Sequence, residues 1–465
     1  MIDIRSFADR PAAVFGLGRG GRVAAAALAA SGARVWAWDD NATAREQAAR
    51  EGLPLVDLYS CDWSQLTTLV LSPGIPHTHP KPHPVALLAH RAGCEIIGDI
   101  ELLVRSRPDA RYIGITGTNG KSTTTALIGH LLTGAGRDVE VGGNIGIPVL
   151  GLRPLGSDGI YVLELSSYQL ELTPSLHCDV AVLLNITPDH LGRHGGMEGY
   201  VEAKRLIFKN QRSNDTAVVG TEDEHCRAII ASLSQRRNGP RVIPISGTGK
   251  VAGGVFAERG SLYDGMHGNP AADLTAISTL PGVHNWQNAA AAFAAARTVG
   301  IERDTITRSL ATYPGLNHRQ ERIAVIDGVA YVNDSKATNA DAAEKALVCY
   351  DDIYWIAGGQ AKEGGIESLL PHLGRIRHAY LIGECGEDFA RTLDGKVAVT
   401  RSGTLAAAID QARKQALTDK TANPVVLLSP AAASFDQFKD FEDRGRQFRA
   451  LVEALPGNRA AQAVH

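Results

Sequence analysis

The sequence predicts an α/β protein of about three domains built on mostly parallel sheets. Three observations carry that expectation. The chain has 465 residues, more than a single hydrophobic core organises. Short apolar runs alternate with helical patterns from one end to the other, as in βαβ units. Polar residues gather just past the ends of the apolar runs, and the carboxyl edge of a parallel sheet is where ligands bind.

The first hundred residues open with an apolar strand, Ala12 to Phe15, that runs into Gly16-x-Gly18-x-x-Gly21. An alanine-rich helix follows, then a second strand, RVWAW (34–38), ending at Asp39 and Asp40. This is a dinucleotide fingerprint with its acidic residue about twenty positions on. The pattern argues strongly for a Rossmann-like unit and weakly for any one nucleotide; alone it suggests an NAD enzyme. A third strand, TLVL (68–71), empties into a turn with Ser72 and Gly74, which also reads as an ordinary proline-glycine loop.

The run YIGITGTNGKS (112–122) is a buried strand emptying into a glycine-rich turn that ends in Lys-Ser. Gly117 and Gly120 let the backbone turn its N–H groups inward around phosphates, and Thr118 and Asn119 lie between them. Lys121 adds a cation, and Ser122 offers a hydroxyl to Mg²⁺ at the start of a helix, Thr123 to Leu132. The strict phosphate-loop spacing wants glycine at position 115, where the chain has Ile115. Two further strands aim at the same edge. One, IYVLE (160–164), finishes in Glu164, an acid that needs a cation or several donors there. The other runs from Val180 into NITPDH (185–190), so His190 is either a metal or substrate contact or a solvated residue at a helix start. Lys204, in a helical pattern, reads as solvated. Residues 213–280 read as further strand with a helix at 222–233 and a glycine-rich stretch, 247–268, of no evident order. Asn285 and Asn288 lead into the helix Ala289–Ala296, either as caps or as contacts to an adenine edge.

The third region, from about Leu316, alternates strands (VAYVN, IYWIA, AYLIG, PVVLL) with helices, and polar clusters at 334–339, 358–362 and 429–434 again follow strand ends. The alanine-rich tail from Gly457 is expected to fray.

Composition excludes several classes. The chain is 44% hydrophobic and 21% charged, which rules out a disordered protein. A net charge of −3 without basic runs gives no case for nucleic acid. The six cysteines have no zinc-ligand spacing and read as reduced, mostly buried thiols. With no leader-like N-terminus and no apolar stretch of membrane-spanning length, a cytoplasmic protein off the membrane is expected; a monomer is the expected assembly, on no sequence signal of its own.

Taken together, GITGTNGKS, GGNIG (142–146), ELSSYQLE (164–171), NITPDHLGRHG (185–195), HNWQN (284–288), GLNHR (315–319), NDSKATN (333–339) and SPAAASFDQFKDFEDRG (429–445) resemble the Mur ligases over essentially the whole chain. GTNGKS is also shared with folylpolyglutamate synthases; NDSKATN and the last block point to glutamate-adding Mur ligases. The resemblance implies ATP-dependent addition of D-glutamate to UDP-N-acetylmuramoyl-L-alanine through an acyl phosphate, in peptidoglycan precursor synthesis. It implies a Rossmann-like UDP-sugar domain (1–99), a central P-loop-type ATPase domain (100–315) and a Rossmann-like, mobile C-terminal domain for glutamate (316–465).

The family motifs also imply roles for individual residues. Gly18, Asp39, Asp40, Asn41, Ser72, Gly74, Asn144 and Ser166 would contact the UDP-sugar. Residues 117–123, through Thr123, with Asn285, Asn288, Arg319 and Asp334, would bind ATP. Ser122 and Glu164 would hold one Mg²⁺, and His190 with a carbamylated Lys204 a second; Lys121, Asn144, Glu164, His190 and Lys204 form the catalytic set. Lys336, Thr338, Lys362, Ser434, Phe435 and Phe441 would surround glutamate. Two positions depart from the family: Ala432 replaces a frequent cysteine, and Gly192 an acid, which leaves the role of Arg193 open. The competing readings are a ligase of this fold adding L-glutamate, a folylpolyglutamate synthase and an NAD(P) oxidoreductase built on Gly16–Gly21. The last leaves Lys121, Glu164 and the whole third region unexplained.

Overall fold

A computed structural model of the chain describes residues 1–265, 270–360 and 364–460. The chain divides into two compact units, Met1–Leu274 with Asn285–Leu310, and Thr275–His284 with Ala311–His465.

The first unit holds two sheets. The smaller joins β1 (Pro11–Phe15), β2 (Arg34–Trp38), β3 (Thr68–Leu71) and β4 (Glu95–Ile97) in the order β2-β1-β3-β4, all parallel. The first glycine of the fingerprint, Gly16, takes φ +94°. A Cβ on Gly21 would stand 1.8 Å from the Gly16 carbonyl oxygen, so the third glycine lets helix and turn touch.

The larger sheet joins β5 (Arg111–Thr116), β6 (Val139–Gly143), β7 (Ile160–Glu164), β8 (Val180–Leu183), β9 (Thr216–Gly220), β10 (Arg241–Ser246), β11 (Val255–Glu258), β12 (Ser261–Asp264) and β13 (Pro270–Asp273). Its order is β13-β12-β11-β10-β9-β8-β5-β7-β6. Only the β11-β12 and β12-β13 pairings are antiparallel among the described residues. The glycine-rich stretch without evident order thus forms β11 and β12, apart from residues 266–269, which lie outside the described residues. β5 lies between β7 and β8. The apolar residues of these strands are buried on both faces, which explains their unbroken hydrophobic runs.

The second unit carries β14 (Glu321–Ile326), β15 (Val329–Asn333), β16 (Asp352–Gly358), β17 (Ile376–Ile382), β18 (Val399–Gly403) and β19 (Pro424–Leu428) in the order β14-β15-β19-β16-β17-β18. All pair in parallel except the hairpin β14-β15. Part of the tail that was expected to fray is paired: Ala460 donates its N–H to the Val325 carbonyl at 3.1 Å. The six cysteines form no disulfide, and four of them are buried. Among the described residues no helix is long and apolar enough to cross a membrane.

One buried cation organises the second unit. In helix Phe441–Glu453 the residues Arg444, Phe448 and Val452 face inward at helical spacing, and Arg444 is fully buried. Its guanidinium donates to the Ser335 hydroxyl and carbonyl, both at 2.9 Å, and to the Ala432 carbonyl at 3.2 Å. The strand-end loops after β15 and β19 are therefore laced to one helix. Burial lowers the Arg444 pKa to about 10, so it keeps its charge at neutral pH. Arg444→Ala strands these carbonyls in the interior, and we expect a loss of about 3–5 kcal/mol in a denaturant melt; a loss below about 1 kcal/mol would contradict the role given to it.

Candidate active site

The loop after β5 has the backbone that its glycines predict. Gly117 has φ +152° and Gly120 φ +84°, and a Cβ on Gly120 would stand 2.3 Å from Asn288 Oδ1. The helix begins at Lys121 and runs to Gly134, two residues longer at each end than the sequence pattern. Its first turn buries Ser122 and Thr123.

Neighbouring elements hold the loop. Asn119 donates its N–H to Asn185 Oδ1 at 2.8 Å, and Asn185 returns its amide to the Asn119 carbonyl at 3.2 Å. Gln287 reaches Asn185 at 3.2 Å. Thr118 Oγ1 meets the Tyr200 hydroxyl at 3.1 Å. The sequence reading missed Asn185, Gln287 and Tyr200; the HNWQN and NITPDH blocks that contain them were the available signal. Asn285 and Asn288 do not cap a helix: both lie buried within helix Val283–Thr298. Asn288 donates to Asn285 Oδ1 at 3.0 Å and accepts from the Thr124 hydroxyl at 3.2 Å.

Two lysines converge on one carbonyl. Lys121 Nζ donates to the Gly117 and Thr118 carbonyls, both at 2.8 Å. Lys204 Nζ donates to the same Gly117 carbonyl at 2.7 Å and lies 4.6 Å from the centre of the Tyr200 ring. Lys204 is only 2% exposed, against the expectation of a solvated side chain. In helix Met197–Arg205 it shares an inward face with Tyr200 and Ala203, a spacing of three and four residues. Burial first, then the nearby Lys121 charge, push its pKa well below that of an ordinary lysine.

Glu164 ends β7, paired with Ile115 of β5 just before the loop. It is 2% exposed. Asn144 donates to Glu164 Oε1 at 3.2 Å and through its backbone N–H to the Glu164 carbonyl at 2.9 Å. Glu164 Oε2 is buried without a hydrogen-bond partner. A bare carboxylate oxygen beside a phosphate-type loop fits a divalent cation. Among the described residues no three His, Cys, Asp or Glu side chains form a ready cage, and Mg²⁺ held by one carboxylate, a hydroxyl and substrate phosphates needs none. His190 has φ +52° at the head of the short helix Leu191–His194. Its half-exposed ring sits 3.3 Å from Asp189 and 5.2 Å, between ring centres, from Tyr168.

At the edge of the smaller sheet, Asp39 is used locally, accepting N–H groups from Leu17 at 2.5 Å and Asn41 at 2.8 Å. Asn41 caps helix Ala42–Arg50. Asp40 holds the Tyr59 hydroxyl at 2.9 Å and His83 Nε2 at 3.1 Å. Ser72 Oγ donates to the Gly16 carbonyl at 2.9 Å, joining the two turns, while Gly74 is exposed and Gly18 has open space around it. Ser166 closes a capping box with Gln169.

In the second unit, Asp334 is buried and accepts from the Ser429 hydroxyl at 2.8 Å and the Gln320 N–H at 3.1 Å. Burial lifts its pKa to about 7, against the pull of these donors and of Arg319. Lys336 Nζ lies 5.4 Å from the centre of the Phe441 ring, and Thr338 N donates to the Lys336 carbonyl. Ser434 is buried, whereas Phe435 is 69% exposed. Lys362 lies outside the described residues. Arg444, which the sequence reading passed over, holds the Ser335 and Ala432 carbonyls of the loops that carry these residues.

Comparison with known proteins agrees with this geometry. Residues 115–296 match the Mur ligase middle domain. The chain is 55% identical to a UDP-N-acetylmuramoylalanine–D-glutamate ligase of Rhodospirillum rubrum, over 99% of this chain and 98% of that protein. It is 53% identical to the enzyme of the same name from Caulobacter vibrioides, over the full length of both. Among solved structures, the UDP-N-acetylmuramate-alanine ligase of Thermotoga maritima shares the fold, with a TM-score of 0.59 at 17% identity, over 96% of this chain and 99% of that one. With identity above one half along its whole length, the chain belongs to the UDP-N-acetylmuramoylalanine–D-glutamate ligase family of the Mur ligases.

Proposed function

We propose that the chain uses ATP to join D-glutamate to the alanyl carboxylate of UDP-N-acetylmuramoyl-L-alanine. The observation that carries this reading is the pairing of a two-lysine phosphate loop with the bare, buried Glu164 oxygen. A carboxylate resists attack by an amine, so the γ-phosphoryl group first passes to it, giving an acyl phosphate and ADP. The glutamate nitrogen then attacks the acyl carbon, phosphate leaves and the nitrogen gives up a proton. Positioning and charge neutralisation carry most of such a reaction.

The residue roles follow the chemistry of each group. Lys121 and the first turn of helix Lys121–Gly134 meet the phosphates, while the Thr118 and Asn119 N–H groups are given to Asn185. Ser122 and Glu164 would hold Mg²⁺, which when bound offsets phosphate charge; Asn144 keeps Glu164 turned toward it. Asn285 and Asn288 belong to the adenine side, and Arg319 and Asp334 to the phosphates and ribose. Lys336, Thr338, Lys362, Ser434, Phe435 and Phe441 receive the two carboxylates and the stem of glutamate, a substrate for which cations and hydroxyls suit. Ser72, Gly74 and the Asp39–Asn41 turn take the UDP-sugar. The division into a UDP-sugar module (1–99), an ATP module (100–315) and a glutamate module (316–465) is supported by one sheet falling within each.

Lys204 suits carbamylation by CO₂. Its buried nitrogen lies beside a second lysine, so the neutral amine is favoured, and N–C bond formation with loss of a proton replaces an unwelcome cation by an anion. That anion, with His190, would hold a second Mg²⁺. A monomer in the cytoplasm is the assembly and location we propose.

Phosphate release with UDP-N-acetylmuramoyl-L-alanine, ATP and each glutamate enantiomer tests the reaction. Release with D-glutamate at least about tenfold faster than with L-glutamate is expected; the reverse preference, or saturable NADH binding without release, would overturn it. For Lys204, intact mass in bicarbonate buffer should include one added CO₂ that Lys204→Ala lacks. That variant should be inactive and partly restored by formate or acetate. Wild-type turnover in it removes the carbamate from the mechanism.

A further inference from the structure

Arg193 is 8% exposed and stands at a junction within the first unit that the proposed reaction leaves unused. Its guanidinium carbon lies 4.9 Å from the centre of the Tyr168 ring, and Nη1 lies 3.4 Å from Glu171 Oε2. The same group reaches out of the larger sheet's domain to the loop after β3, with Nη1 at 3.5 Å from the Thr78 hydroxyl and Nη2 at 3.4 Å from His77 Nδ1. An arginine always donates, so His77 Nδ1 is the acceptor. Glu171 Oε1 in turn faces His194 Nδ1 at 3.2 Å, and His194 Nε2 faces the Ser167 hydroxyl at 2.9 Å.

Both ends of this network lead to substrate-facing turns. Tyr168, clamped under Arg193, also lies against His190, and Arg193 N–H donates to the His190 carbonyl at 2.9 Å. His190 itself is exposed and in a left-handed backbone conformation, so a braced neighbour is what holds such a turn. The loop bearing His77 and Thr78 continues directly from Ser72 and Gly74. Glu171 is the carboxylate beside Arg193.

We propose that Arg193 is a positioning residue that ties the sugar-nucleotide loop, residues 72–79, to the turn carrying His190, so that both stand in place together. This rests on the reading of Ser72 and Gly74 as sugar-nucleotide contacts and of His190 as a group of the catalytic centre. A planar fork stacked on an aromatic ring and shared between a carboxylate, a hydroxyl and an imidazole is a task that lysine does not perform equally.

Two measurements test the tie. Hydrogen exchange of the unliganded protein reads it without turnover: Arg193→Ala should speed exchange both in residues 76–83 and in 189–196, and a change confined to the second segment overturns the proposal. Kinetics read its consequence. In Arg193→Ala the KM for UDP-N-acetylmuramoyl-L-alanine should rise about fivefold and kcat fall about tenfold, with KM for ATP nearly unchanged. Arg193→Lys should recover only part of the loss. His77→Ala, on the surface loop, should raise the UDP-sugar KM alone, and adding it to Arg193→Ala should raise it no further. Wild-type constants, equal rises in both KM values, or additive effects overturn the proposal. Should Arg193→Ala fail to fold, exchange and KM in His77→Ala combined with Thr78→Val decide it in the same way. Absence of turnover in the wild-type protein counts against the proposed reaction and leaves the exchange result to judge Arg193.

Discussion

The Gly117 carbonyl, shared by the Nζ groups of Lys121 and Lys204, is the contact on which the site depends. It draws helix Lys121–Gly134 and helix Met197–Arg205 together at the end of β5. One neutral carbonyl cannot cancel two adjacent cations in a buried setting, and burial first, then the neighbouring Lys121 charge, depress the basicity of Lys204. The arrangement becomes favourable when a polyanion enters, or when one lysine is turned into an anion. Glu164 presents the opposite face of the same problem, with an oxygen withheld from water and from every donor. Cationic loop and bare carboxylate are complementary to a nucleoside triphosphate with its metal, and each alone is costly.

Much of this was legible in the residues, for identifiable reasons. Gly117 and Gly120 announce backbone conformations that few other residues adopt, and the structure has them at positive φ. Glu164 stood out because an acid closing an apolar strand lacks a solvent-side explanation. Lys204 did not stand out, since a lysine in a charged helical run is normally solvated; its burial depends on Tyr200 and Gly117, which lie distant in sequence. Arg444 was hidden for the same reason, although its spacing to Phe448 and Val452 marks an inward face. Whether Asn285 and Asn288 cap a helix or meet an adenine edge could not be chosen from sequence, because both tasks suit an asparagine; their burial inside helix Val283–Thr298 removes the cap. Asp39 shows the reverse case, a fingerprint acid whose two oxygens are taken by backbone N–H groups, Leu17 in the glycine turn after β1 and Asn41 in its own turn.

The second unit follows a different electrostatic logic. Here an arginine is fully enclosed and satisfied by carbonyls and a hydroxyl, while a carboxyl, Asp334, is enclosed with hydroxyl and amide donors and burial pushes its pKa up. Arg444 fixes backbone, which leaves Lys336 and Ser434 on braced loops instead of on free ones.

The central claim is that the bare Glu164 oxygen exists to receive a cation brought with the triphosphate. The most direct measurement is the affinity for a non-hydrolysable ATP analogue across a Mg²⁺ titration, in the wild-type protein and in Glu164→Gln. The account predicts that Mg²⁺ tightens wild-type binding by about tenfold or more and that Glu164→Gln loses this tightening while remaining folded. Equal Mg²⁺ dependence in the two proteins would contradict it.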